Sequence, residues 1–238
     1  MKKKDFSDGL RDGLPICLGY FSVSMAFGIT ASKGGLPVWA AILTSLTNVT
    51  SAGQFAGINI MFELGRLLEI AITTLIINMR YFLMSLSVSQ KVSASMTLRQ
   101  RFLVSFGITD EVFAVSMRRS EPLSAVYMAG LIISPVLGWT MGTAVGAIAT
   151  SVMPQSLASA MGIALYGMFI AIVIPPSREN KNVLIAVILA IAASLAFYYA
   201  PVLKTLSSGW TIIIITVFIS AFCATFFPIK IEERRDEI

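Results

Sequence analysis

The sequence contains no histidine and only two cysteines in 238 residues. Without His, this chain has no imidazole metal site and no Ser-His-Asp or Cys-His catalysis. Cys17 and Cys223 sit inside apolar runs with no CxxC partner, and read as small core or lipid-facing residues. Charge is also scarce, at 13% Asp, Glu, Lys and Arg against about 25% in soluble domains. Hydrophobic residues make up 56% of the chain and mean hydropathy is +0.80. Too little polar surface remains to cover a water-exposed body, so the solvent around most of this protein is lipid. No Walker A loop, GxSxG turn or metal-ligand cluster occurs, which leaves no basis for an ATP-driven pump or a hydrolase. The chain reads as a non-enzyme with no cofactor. Its net charge of +5 speaks of membrane orientation rather than of nucleic acid.

What is present is apolar length. Eight segments stand out, at 13–32, 38–62, 67–89, 102–117, 122–150, 157–175, 183–201 and 210–228. About 20 apolar residues cross the hydrocarbon core, and most of the eight qualify. No linker long enough to divide the chain appears, so 1–238 reads as one transmembrane domain. Lys2, Lys3 and Lys4 resemble the start of a signal peptide, but Asp5, Asp8, Arg11 and Asp12 intervene. The run that follows is long enough to span by itself, so the first helix is expected to be retained.

Two segments are irregular. Segment 38–62 is interrupted by Asn48, Thr50, Ser51, Gly53 and Gln54, and segment 102–117 is short with Asp110 and Glu111 at its middle. If both return to their starting side, Lys33, Arg66 and Lys204 lie outside and Arg80 within the membrane. The other fourteen of the 18 Lys and Arg residues then lie inside. If all eight segments cross, the basic 91–101 loop falls on the wrong side. The positive-inside rule favours the first arrangement. The expected fold is an all-α polytopic bundle with six full crossings and two broken or re-entrant segments, eight crossings being the alternative. Both arrangements put both termini in the cytoplasm.

Arg80 lies about 3 Å past the centre of its segment at 1.5 Å per residue. A charge at that depth costs about 2.5–3.5 kcal/mol on insertion scales, so it needs a partner or water. It reads either as a substrate-carboxylate or coupling site, or as half of a structural ion pair. Thr74, Asn78, Tyr81 and Ser85 form one polar stripe on the same helix, and Thr73, Arg80 and Ser87 a second. A helix polar on two sides belongs in the protein interior. Of Asp110 and Glu111, one is the natural counter-ion of Arg80. The other is free to hold a proton, as proton coupling requires; alternatively both acids are wet at the interface.

Ser51-Ala52-Gly53-Gln54-Phe55 reads as a place where the helix can unwind. An unwound turn offers backbone N–H groups and a positive helix end to a carboxylate. Gly53 and Gly57 equally suit close helix packing. Gly138, Gly142 and Gly146, at a strict spacing of four, read as a packing stripe. Trp39, Trp139 and Trp210 read as interface or packing residues.

These residues resemble the AzlC-type branched-chain amino acid permease family, which includes the large subunit of the bacterial L-valine exporter. The resemblance covers nearly the whole chain. It rests on Gly9-Leu10-Arg11-Asp12-Gly13-Leu14-Pro15, on Ala26-Phe27-Gly28 and on Ser51-Ala52-Gly53-Gln54-Phe55. It continues through Asn78-Met79-Arg80-Tyr81 and the run Phe106 to Ala114, which contains Thr109-Asp110-Glu111. It implies a secondary transporter in the bacterial inner membrane that exports valine and related amino acids. It also implies a small AzlD-type membrane partner of roughly half this size. In this reading Ser51, Gly53, Gln54, Phe55, Asn78 and Arg80 bind substrate, and Asp110 and Glu111 serve as counter-ion or coupling groups. The rival readings are a membrane assembly or sensor subunit, whose charges only hold helices together, and a small-solute channel.

Overall fold

The computed structural model describes residues 2–150, 173–200 and 203–227, with 156, 167 and 170. Among them the chain is helical, with one isolated bridge between Val92 and Leu123 and no strand. The helices are α1 (Lys2–Lys33), α2 (Val38–Thr47), α3 (Ser51–Phe62), α4 (Leu67–Ser89), α5 (Leu98–Ser105), α6 (Asp110–Arg118), α7 (Ala125–Ala149), α8 (Lys181–Tyr199) and α9 (Ser208–Phe226). Residues 173–179 are also helical. Most of the expected 157–175 segment lies outside the described residues. Among those described, α1, α4, α7, α8 and α9 are long and apolar enough to cross a bilayer. The protein is a polytopic all-α membrane bundle.

The centre of the bundle is the pair α1 and α7, which run parallel. A Cβ on Gly138, Gly142 or Gly146 would run into the backbone of Cys17, Phe21 or Met25 respectively. Residue numbers rise together on both helices, and the glycine stripe is what lets the two backbones approach. Gly142→Ala is expected to destabilise by about 1–3 kcal/mol, as overpacking does. A fluorescence melt in detergent should show an apparent Tm lower by several degrees.

The first helix starts earlier than its apolar run. Asp5 accepts a hydrogen bond from Ser124 at 2.9 Å and Asp12 one from Tyr127 at 2.8 Å. Partners on α7 thus extend α1 through residues that polarity alone assigns to a loose end. The same contacts put the N-termini of α1 and α7 on one face of the bundle, here the basic face.

Neither irregular segment crosses. The chain before α5 and the chain after α6 pair with each other: Ser93 N–H donates to the Leu123 carbonyl and Leu123 N–H to the Lys91 carbonyl, both at 2.9 Å. The α5–α6 unit therefore enters from the basic face and returns to it. A capping box of Thr97 and Gln100 starts α5, one turn before the expected 102. The α2–α3 unit behaves likewise at the opposite face, where Gly34, before α2, lies against Phe62 at the end of α3. Two re-entrant hairpins thus dip from opposite faces, their tips at 48–50 and 106–109.

Two clusters hold this arrangement. Phe27, Ala31, Ala41, Phe55, Ile58 and Ala147 pack the α2–α3 hairpin against α1 and α7. Ile16, Val104, Val112, Met128 and Leu131 do the same for α5–α6. Leu75, Phe82 and Leu83 of α4 are exposed and form its lipid-facing side. At the opposite face Glu63 accepts from the Ser208 N–H at 3.1 Å, and Glu69 accepts from the Ser207 hydroxyl. These carboxylates secure the positive N-terminal end of α9.

Candidate functional site

A broken helix leaves its orphan N–H and C=O groups at the break. Here two breaks meet in the interior, so the polar ends of four half-helices converge. The N-termini of α3 and α6 open onto a cavity of about 230 Å³. Thr50, the N-cap of α3, makes no capping bond to its own helix. Its hydroxyl instead donates to Asn78 Oδ1 at 2.8 Å. The first-turn amides of α3 are left open, beside Ser51 and Ala52 in the cavity wall. The Ser51 hydroxyl oxygen is buried and has no hydrogen-bond partner among the described residues. On the other side Thr109 caps α6 by accepting from Val112 N–H. That places Asp110 and Glu111 in the first turn, where the helix dipole favours negative charge.

Arg80 and Asp110 meet at 3.0 Å, with 43% of one side chain and 36% of the other accessible. The pair is therefore reachable from the cavity rather than sealed in the core. Glu111 is held separately. It accepts from the Tyr20 hydroxyl, which also lies 2.7 Å from the Thr109 hydroxyl. The Tyr20 ring stands edge-on to Trp139, centroids 5.4 Å apart. Val49, Trp139 and Val173 supply apolar wall. The result is a small chamber with a cation, two carboxylates, an open helix N-terminus and an apolar side.

Not every expected residue faces this chamber. Ser51, Arg80, Asp110 and Glu111 line it, whereas Gly53, Gln54, Phe55 and Asn78 stand outside its wall. Gln54 is 2% exposed and its amide is engaged by protein: Trp139 Nε1–H donates to Oε1 at 2.7 Å and Nε2–H donates to Ser45 Oγ at 3.0 Å. Ser45 in turn meets Thr143 at 2.7 Å. Phe55 packs edge-on against Phe27. Asn78 ties α4 to the α2–α3 tip. The break itself lies at 48–50, upstream of the glycine, which is inside the first turn of α3. Tyr20, Thr109 and Trp139 are site residues that residue type alone did not reveal. Trp139, read as an interface or packing residue, is 1% exposed and hydrogen-bonded in the interior.

The family model described as AzlC protein matches residues 15–153. An uncharacterized membrane protein of Archaeoglobus fulgidus is 30% identical over 221 residues, 88% of this chain and 96% of that one. Inner membrane protein YgaZ of Escherichia coli is 27% identical over 83% of this chain and 84% of its own. An uncharacterized membrane protein of Helicobacter pylori is 25% identical over 75% of this chain and 78% of its own. No solved structure matches the chain.

Proposed function

The chain belongs to the AzlC family, and on that footing we propose that it is the large subunit of a secondary transporter exporting branched-chain amino acids such as L-valine across the bacterial inner membrane. In this reading it works with a small AzlD-type membrane subunit, couples to protons and keeps both termini in the cytoplasm. The observation that carries the reading is the chamber where Arg80, Asp110, Glu111 and the open end of α3 converge.

The chamber has complementary parts for a zwitterion. A substrate carboxylate suits the α3 amides, the unpartnered Ser51 hydroxyl and the Arg80 guanidinium. The ammonium suits Asp110 or Glu111. A short branched side chain suits the wall formed by Val49, Trp139 and Val173. Substrate binding then competes with Asp110 for Arg80, which loosens the tip of the α5–α6 hairpin from α4. Glu111, held by Tyr20 rather than by a cation, is the coupling group in this scheme. Asn78 and Gln54 act indirectly in this scheme, by fixing the α2–α3 tip.

Reconstitution tests the reading. The purified chain, together with its small partner, is placed in proteoliposomes loaded with labelled L-valine. Efflux that follows an imposed proton gradient and stops on adding a protonophore is the expected result. If no labelled valine moves under any proton gradient, the chain is an assembly or sensor subunit instead.

A further inference from the structure

Beside the chamber lies a second cavity of about 130 Å³, between the two hairpin tips. Residues 47–50 form one side, residues 105, 106 and 108 another, and Asn78 and Tyr81 of α4 the third. This is where α2 and α5 end. The larger chamber receives the helix N-termini; this one receives the C-termini, whose last carbonyls lack intrahelical donors. Some are satisfied locally: the Thr44 carbonyl accepts from Asn48 N–H, and the Val104 carbonyl from Gly107 N–H. Those of Thr47, Asn48 and Phe106 accept no hydrogen bond from any described residue. Two partial negative charges therefore face one small space.

Two side-chain oxygens join them. Thr50 Oγ1 and Asn78 Oδ1 are 2.8 Å apart at the edge of this cavity. Among the described residues, no Asp, Glu, Lys or Arg contributes to its wall. An oxygen set with no carboxylate suits a singly charged cation, because divalent ions bound by protein draw on carboxylates. Carbonyls at half-helix C-termini hold monovalent cations in other membrane proteins built with broken helices. We propose that this cavity binds an alkali-metal cation, held by Thr50, Asn78 and the terminal carbonyls of α2 and α5.

The two cavities share Val49 and Tyr81 as walls. A bound cation would thus add positive potential beside the chamber and pin the two tips together. The site requires only the meeting of the tips, and does not depend on what the larger chamber carries.

The test is equilibrium binding of radiolabelled sodium to the full-length chain in nanodiscs, with no amino acid present. Saturable binding displaced by sodium or potassium, and not by choline, is expected. Asn78→Ala should weaken it at least tenfold. Thr50→Val should weaken it similarly, and Thr50→Ser, which keeps the hydroxyl, should restore it. The proposal is overturned by the absence of saturable binding. It is equally overturned by binding that neither Asn78→Ala nor Thr50→Val alters in protein that elutes as a single species. Failure of valine transport would leave a positive result standing.

Discussion

Replacing Arg80 with Ala is expected to bring valine efflux from proteoliposomes to the level of protein-free vesicles, a fall of at least a hundredfold. The chain should still insert and elute as a folded species. The change removes the one cation that lines the chamber among the described residues and leaves Asp110 without its partner at 3.0 Å. A hundredfold loss corresponds to about 2.7 kcal/mol. Arg80→Lys preserves charge but not the planar fork of donors, and should fall between the two. If Arg80→Ala transports at the normal rate, Arg80 and Asp110 are a structural pair and the substrate lies elsewhere.

The second large effect concerns stability. Gln54→Leu removes an acceptor from the Trp139 indole N–H and a donor to Ser45, both buried. The Trp139 N–H left unsatisfied costs about 1–3 kcal/mol, and the lost bond to Ser45, which keeps Thr143, about 0.5–1.5 kcal/mol, so a loss of about 1.5–4.5 kcal/mol is expected. The apparent Tm in detergent should drop by roughly 3–18 °C, at about 2–4 °C per kcal/mol for a protein of this size. The double variant Gln54→Leu with Trp139→Phe should recover part of the loss, because an apolar pair replaces a broken polar one. A single variant as stable as the parent would show that the network contributes nothing. Equal destabilisation of the double variant would show that packing, rather than hydrogen bonding, is what Gln54 supplies.

These two residues also show what could be read from sequence. Arg80 was legible because a charge in an apolar segment is improbable unless something pairs it, and Asp110 or Glu111 was its natural counter-ion; the structure selects Asp110. The re-entrant nature of both irregular segments followed from the distribution of Lys and Arg; the pairing of Ser93, Leu123 and Lys91 bears it out for α5–α6, and the contact of Gly34 with Phe62 for α2–α3. The position of the α2–α3 break did not follow. The stretch from Ser51 to Phe55 reads as the place to unwind, yet Gly53 sits in a helical turn and the chain opens at Asn48, Val49 and Thr50. Asn and Thr compete for backbone hydrogen bonds and favour helix ends, and here that preference outweighed the permissiveness of glycine. The partnership of Gln54 with Trp139 spans 85 residues, and no local pattern encodes such a contact. Tyr20 was hidden for the same reason: its partners, Thr109 and Glu111, lie about ninety positions away.

The parallel pairing of α1 with α7 bears on how the chain is built. Synthesis runs from the N-terminus, so α1 enters the membrane long before its partner exists. Its face of small residues, including Gly9, Gly13 and Gly28, must wait for more than a hundred residues to follow. During that interval both hairpins emerge, and their polar tips have no finished interior to enter. The arrival of α7 supplies Trp139 to Gln54, Thr143 to Ser45 and a second wall to both hairpins at once. Assembly of the interior is therefore a late and concerted event. A chain truncated before residue 125 should insert yet remain an easy target for proteolysis, with Gln54 lacking Trp139 and Ser45 lacking Thr143.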